Sequence, residues 1–163
     1  MPCISLQTAI TLTDLSERTI RRRLADGVFK KASAEDSSKI LLDFDLLQPD
    51  WCLPFESEHV ELIVHADRGD VKAQNDLALF FLEHDQTKSA LYWLELAIKQ
   101  GFVDAMYLMG CCYLNGTGVK QDNNLAVMWI AKAAALGHTI AVAQIEAIYP
   151  KLAEQNQFMS NKT

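Results

Sequence analysis

The chain has 163 residues, 50% of them hydrophobic and 22% charged, which is the composition of one or two folded domains and excludes a disordered chain. No apolar run is long enough to cross a bilayer, and the N-terminus has no basic start followed by an apolar core. The four cysteines form no C-x-x-C pair, which indicates reduced thiols. We therefore expect a cytoplasmic protein with no membrane partner.

The net charge of −6 is unevenly distributed along the chain. Residues 18–31 hold six basic side chains and one acid, whereas residues 51–163 hold eight basic side chains and thirteen acids. A cationic patch on an otherwise acidic chain predicts two parts with different partners.

The first fifty residues predict two short helices followed by a β-hairpin. Ser5 caps the first helix, Ser16 caps the second, and Gly27 ends the second. The stretches "VFKK" and "KILL" predict two strands around a polar loop, and "DFDLLQPDW" predicts a final helical turn. The outward side of the second helix is expected to carry Arg18, Arg21 and Arg22, with Arg23 at its edge.

This order of elements is similar to the winged helix-turn-helix of excisionase and MerR-type DNA-binding proteins. The matching positions are Leu15, Ser16, Arg18, Thr19, Ile20, Arg22, Gly27, Asp45 and Leu46. Asp14 replaces the turn glycine of that family, and Glu35 and Asp36 place acids at the tip of the wing.

The resemblance implies binding to double-stranded DNA, with arginines of the second helix pairing with guanine in the major groove and lysines neutralising phosphates. A module of this size gains affinity by forming a homodimer over two half-sites. The alternative is a basic helix that docks on an acidic protein surface, such as the chain's own repeats. The residues implicated in DNA binding are Ser16, Arg18, Thr19, Arg21, Arg22, Arg23, Lys30 and Lys31.

The remainder of the chain carries an internal repeat. The stretch "ALYWLELAIKQG" (90–101) recurs as "AVMWIAKAAALG" (126–137) with a shift of 36 residues, and the helices before them align with a shift of 32. Each unit has apolar residues at helical spacing and predicts two antiparallel helices. Trp129 and Leu136 are expected to face inward with Ala126 and Ala133.

The glycine-rich stretch Gly116-Thr117-Gly118 has two interpretations. Such a turn before a helix can hold a phosphate, but a phosphate-binding loop of that kind follows a strand. Helical patterns flank this turn on both sides, so the sequence predicts a bend between two packed helices.

The second unit resembles the Sel-one-like repeat, a relative of the tetratricopeptide repeat (TPR). The matching positions are Ala105, Gly110, Tyr113, Gly116, Gly118, Val119, Asp122, Ala126, Trp129, Lys132, Ala133, Ala134 and Gly137, with Met109 in place of leucine. The first unit departs from the pattern at Ala78 and Phe81 and lacks the glycine loop. The resemblance implies a helical solenoid and a non-catalytic adaptor that holds a partner protein in a groove.

Peptide binding in such a groove implicates the first helix of each repeat. The candidate residues are Gln74, Asn75, Phe80, Met106, Tyr107 and Cys111. The alternative is that several of them pack against the N-terminal segment or a second subunit. The histidines are dispersed, and no cluster has the spacing of metal ligands or of a catalytic triad, so we expect no metal, cofactor or catalytic site.

The predicted fold is mainly α. A winged helix-turn-helix with a short β-hairpin spans 1–50, a linker spans 51–56, an αα-hairpin repeat solenoid spans 57–150, and a polar tail follows. The solenoid has whole repeats at 73–101 and 105–137 between two half repeats, the second at 139–149. The predicted function is a bacterial regulatory adaptor that binds DNA through the first part and a protein through the second. A protein-binding scaffold without a nucleic-acid role is the alternative, and an enzyme is a more remote one.

Overall fold

The computed structural model describes residues 2–30 and 40–149 of the chain. These residues form eight α-helices, two strands and one 3₁₀ helix. The helices are α1 (Leu6–Thr13), α2 (Glu17–Ala25), α3 (Ser57–Asp67), α4 (Val71–Glu83), α5 (Thr87–Lys99), α6 (Val103–Asn115), α7 (Asn123–Ala135) and α8 (Thr139–Ile148). The chain divides into two compact units, and the division along the sequence falls between Trp93 and Leu94, in the middle of α5.

The first unit begins with a two-stranded antiparallel sheet. Strand β1 (Cys3–Ser5) pairs with β2 (Leu41–Asp43), and Ile4 lies opposite Leu42. Both of these side chains are fully buried. The prediction of a strand at "KILL" is confirmed in part, because β2 begins at its last two leucines.

The prediction that "VFKK" forms the other strand is wrong, because Val28–Lys30 form no strand. The amides of Val28 and Phe29 instead donate to the carbonyl of Arg23 and close the end of α2. One backbone bond, 3.4 Å from Asp43 N to Lys30 O, links this stretch to β2. The predicted loop tip, with Glu35 and Asp36, lies outside the described residues.

The two N-terminal helices begin where the sequence predicts them. The Ser5 side chain accepts from the amide of Thr8, and the Ser16 side chain accepts from the amide of Thr19. Between the helices, Asp14 has a left-handed conformation with φ of 52°, which an aspartate tolerates in place of glycine. The predicted helical turn after β2 is a 3₁₀ helix, Asp45–Asp50.

Helices α3, α4 and the first half of α5 complete the first unit. Helix α3 packs along α4. Its inner side chains Ile63 and Ala66 are buried, as are Leu77 and Phe81 of α4. Phe81, which stands at the tyrosine position of the repeat pattern, therefore points inward.

The second unit consists of the rest of α5 with α6, α7 and α8. Gly110 of α6 lies against α7, because a Cβ built at this position meets Ile130 Cγ1 at 2.7 Å and Ala126 O at 3.2 Å. The core contains Met106, Ile130 and Ala133, together with Ala141. The small residues therefore bring the two helices together, and Ile130 fills the contact between them.

The turn between α6 and α7 is a bend between helices, as predicted. Gly116 ends α6 in the left-handed region at φ of 71°, and the amide of Thr117 donates to Cys112 O. The Asp122 carboxylate then accepts from the amides of Asn124 and Leu125 and begins α7.

Two inward assignments on α7 need correction. Leu136 is 55% exposed, and Trp129 is only partly buried. Trp93 holds the same repeat position as Trp129 and is 1% exposed. Equal positions in the two repeats thus have different surroundings.

We expect Trp93→Ala to lower the free energy of unfolding by about 3–5 kcal/mol, the range for large aromatic truncations in a core. Trp129→Ala is expected to lower the free energy of unfolding clearly less, because the Trp129 ring is partly solvated. Urea unfolding followed by circular dichroism measures both losses. Arg22→Ala, at an exposed position, is the control and should change stability by less than about 0.5 kcal/mol. Equal losses for the two tryptophan variants contradict this assignment.

Candidate functional site

Helix α2 presents the predicted DNA-binding arginines to solvent. Arg18, Arg21 and Arg22 are exposed, and Arg21 Nε donates to Glu17 at 2.7 Å. Ser16 and Thr19 stand at the start of the helix and hydrogen-bond each other through their hydroxyls at 2.9 Å. The arginines are thus accessible, whereas the two hydroxyls serve the helix cap.

The remaining basic residues of that prediction have different surroundings. Arg23 forms an ion pair with Asp50, and its guanidinium lies 5.5 Å from the centre of the Phe29 ring. Arg23 therefore stabilises the N-terminal segment and does not share the exposure of its neighbours. Lys30 is exposed, and Lys31 lies outside the described residues.

The N-terminal segment is hydrogen-bonded to the end of α3. The Asp67 carboxylate accepts from the amide of Ser5 at 3.1 and 3.2 Å and from the Thr8 hydroxyl at 2.5 Å. A carboxylate at this place also interacts favourably with the N-terminus of α1. Asp67 was not among the functional residues predicted from the sequence.

Thr11 of α1 connects the same segment to α5. Its backbone carbonyl accepts from Ser89 Oγ at 3.1 Å, and its hydroxyl accepts from Trp93 Nε1 at 3.2 Å. The alternative for the basic helix was docking on an acidic surface such as the chain's own repeats. In the structure it is α1 that bonds to α5, and Arg18, Arg21 and Arg22 of α2 stay exposed.

In the first unit, two of the predicted groove residues are inside the protein. Gln74 and Asn75 are each 4% exposed, and Gln74 Nε2 donates to Ala66 O at 3.2 Å. Gln74 is thus held against α3, and neither side chain is open to a partner in this structure.

Phe80, the third predicted residue of this unit, is half-buried among other rings. Its ring centre lies 4.4 Å from His84, 4.5 Å from His59 and 5.4 Å from Phe55. Phe80 therefore contributes a partly accessible aromatic surface.

An open cleft of about 370 Å³ also lies in the first unit, along α3 and α4. Half of its lining residues are acidic, and Lys72 Nζ donates to Asp76 at 3.1 Å. None of the predicted groove residues lines this cleft. Its lining residues are Glu58, Glu61, Leu62, His65, Asp70, Lys72, Ala73 and Asp76.

In the second unit, Tyr107 and Cys111 are half-buried, whereas Met106 is 4% exposed and belongs to the core. The Tyr107 ring stacks on His138, with 4.3 Å between ring centres and 20° between planes. Gln144 Nε2 donates to the Tyr107 hydroxyl at 3.2 Å. Tyr107 is therefore held in one orientation while part of its surface stays accessible.

His138 is fixed by its position at the start of α8. Its Nδ1 accepts from the amide of Ala141 at 3.2 Å, so the neutral ring carries its proton on Nε2. That nitrogen lies 3.6 Å from the carboxylate of Asp104. The sequence showed His138 only as one of four dispersed histidines, since its stacking partner is on another helix.

Burial controls the titration of the groups beside Tyr107. Burial, and then the hydrogen bond and charge of Cys111, raise the pKa of the Tyr107 hydroxyl. Burial, followed by the charge of Cys111, raises the pKa of the Cys112 thiol to about 11. Both groups are therefore neutral at physiological pH.

Large apolar side chains are exposed on α7 and α8. Their exposed fractions are 48% for Met128, 55% for Leu136 and 56% for Ile140. Such side chains mark interaction surfaces when they are contiguous. This surface was not predicted from the sequence, because Leu136 was expected to face inward.

The described residues contain no group of three or more histidine, cysteine, aspartate or glutamate side chains placed to hold a metal ion. Among the helices of residues 2–30 and 40–149, none has the length and apolar character needed to span a bilayer.

Comparison with known proteins identifies the repeats. The Sel1 repeat model matches residues 71–102 and 103–138, which contain the two predicted whole repeats. A crystal structure of a Sel1 repeat protein from Oxalobacter formigenes has a TM-score of 0.52 and 31% identity, covering 59% of this chain and 75% of that chain.

A second solved structure is a protective antigen present in uropathogenic Escherichia coli strains and displaying an SLR fold. It has a TM-score of 0.52 and 34% identity, covering 56% of this chain and 21% of the antigen. Repeats of this kind imply a scaffold for protein–protein interaction. The winged helix-turn-helix stays a prediction.

We expect iodoacetamide at about pH 8 to modify Cys3 well before Cys112, because alkylation requires the thiolate. Cys3 is exposed, whereas Cys112 is 3% exposed with a pKa of about 11. Modification of Cys112 should accelerate only as the pH rises towards that value. Peptide mass spectrometry measures both sites, and unfolding in urea is the control in which the difference should vanish. Equal rates in the folded protein contradict the assignment.

Proposed function

This chain belongs to the Sel1 repeat family, and we propose that it is a non-catalytic adaptor whose second repeat binds a partner protein through the surface around Tyr107. The observation that carries this proposal is the stacked Tyr107–His138 pair, in which a half-buried tyrosine is already oriented. Tyrosines of this kind are enriched among residues that dominate binding energies, since they offer a large area with little entropy to lose.

The neighbours of Tyr107 define what such a partner must offer. The stacked rings provide an apolar surface, and the Tyr107 hydroxyl stays protonated because its pKa is raised. This hydroxyl already hydrogen-bonds with Cys111 and Gln144, so it is the ring that offers a contact to a partner. Asp104, with its side chain 61% exposed, adds a negative charge beside His138. We infer a partner segment with an aromatic or aliphatic anchor and a nearby basic group.

Tyr107→Ala should reduce the amount of partner that co-purifies with the tagged full chain by about tenfold or more, as for removal of a dominant interface residue. Quantitative mass spectrometry of cross-linked bacterial lysates measures this amount. Tyr149→Ala is the matched control, because it removes an exposed tyrosine at the end of α8. Recovery of the same proteins by the unaltered chain, Tyr107→Ala and Tyr149→Ala contradicts a binding role for Tyr107.

A second candidate function is DNA binding by α2. The observation that favours it is the exposure of Arg18, Arg21 and Arg22 on one short helix that follows a tight turn at Asp14. On this candidate the chain binds double-stranded DNA as a homodimer. Docking of α1 on α3 and α5 does not cover these arginines.

Replacing Arg18, Arg21 and Arg22 together by alanine should abolish binding to genomic duplex fragments at low salt, because phosphate contacts depend on these charges. Fluorescence anisotropy over a salt series measures the affinity and its salt dependence. Arg68→Ala, at an exposed arginine outside α2, is the control. Absence of salt-dependent binding by the unaltered chain leaves the protein scaffold as the function.

We also propose that the protein acts in the cytoplasm of a bacterium. None of the four cysteines is in a disulfide, which suits a reducing compartment. The similar solved structures come from bacteria.

A further inference from the structure

One side of α5 is covered in the first unit by α1. Ser89 and Trp93 lie four residues apart on this side, and both bond to Thr11. Ser89 is 6% exposed and Trp93 is 1% exposed. The outer surface of a second repeat helix is thus a place where another helix docks in this chain.

The repeat shift of 36 residues gives the positions of α7 that are equivalent to this side of α5. Ser89 corresponds to Leu125, Tyr92 to Met128 and Trp93 to Trp129. On α7 the same positions are open, since Leu125 is 36% exposed and Met128 is 48% exposed. We call Leu125, Met128, Trp129, Lys132 and Leu136 the α7 stripe, because they follow the spacing of one helix face.

The α7 stripe differs in chemistry from its counterpart on α5. Leucine in place of Ser89 removes the hydroxyl that donates to Thr11, and methionine in place of Tyr92 adds a flexible apolar side chain. A threonine-bearing helix such as α1 would lose the bond from the Ser89 hydroxyl on this surface, while Trp129 keeps the indole N–H of Trp93. An occupant of the α7 stripe must therefore present apolar side chains.

A positive charge lies beside this apolar surface. Lys132 is exposed, and its Nζ lies 5.2 Å from the centre of the Trp129 ring. The α7 stripe contains no acid. Pairing two α7 stripes across a two-fold axis therefore provides no carboxylate for either lysine. Charge complementarity favours a different protein with an acid at this place.

We propose that the α7 stripe binds a short amphipathic helix of a partner protein, with leucine-like side chains along one face and a glutamate or aspartate opposite Lys132. This inference rests on the proposed adaptor function and adds a second binding surface, on a different helix from Tyr107. The helix lies on α7 as α1 lies on α5, with apolar contacts in place of the Ser89 hydrogen bond.

The probe for this proposal is a fluorescent stapled helix of about four turns, with leucines at helical spacing and glutamates flanking them. A second, basic probe carries lysines in place of the glutamates. We expect the full chain to bind the acidic probe in a saturable manner, and to bind the basic probe about tenfold more weakly. Fluorescence anisotropy measures both affinities.

Two variants assign the binding to the α7 stripe. Met128→Asp should lower the affinity for the acidic probe by about tenfold or more. Lys132→Glu should reverse the preference between the two probes. Both residues are exposed, and circular dichroism confirms that each variant is folded. The Tyr107→Ala variant should bind the acidic probe as the unaltered chain does. Loss of the co-purified partner from Tyr107→Ala therefore tests the proposed function independently of probe binding to the α7 stripe.

Three results overturn the proposal. The first is unchanged probe affinity in Met128→Asp, and the second is equal affinity for both probes. The third is sedimentation showing that the chain self-associates and that Met128→Asp disperses it, because a second copy is then the occupant.

Discussion

The burial of the Trp93 side chain depends on Thr11, which is 82 residues away in the sequence. An indole is large enough to organise a helix surface, but its N–H needs an acceptor once water is excluded. Thr11 supplies that acceptor, and its carbonyl also satisfies Ser89. This pair of polar contacts, with Asp67 at the end of α3, makes the N-terminal segment part of the first unit.

The repeat pattern predicted most of the helical part because its signals are local. Alanines and glycines at fixed spacing determine where helices approach and where they end, and α5 and α7 cover most of the two recurring stretches. In the N-terminal segment the serine caps predicted both helices for the same reason. The partner of β2 was missed, since the choice between two short apolar stretches depends on where the intervening chain folds.

The side-chain environments were harder to predict than the helices. Trp93 and Trp129 hold the same repeat position, yet only Trp93 is covered by a segment from outside the repeats. Gln74 and Met106 were assigned to a groove, but each lies against a neighbouring helix. The Tyr107–His138 stack joins the first helix of one repeat to the start of the next, and a pattern read within one unit does not include such a pair.

The correspondence between Ser89 and Leu125 has an evolutionary consequence. The two positions descend from one ancestral position if the repeats arose by duplication, and one now carries a hydroxyl where the other carries an apolar side chain. A change at Leu125, which is 36% exposed, leaves the hairpin of α6 and α7 intact because no fully buried contact is lost. Duplicated hairpins can thus diverge in the ligands they select while their architecture is conserved.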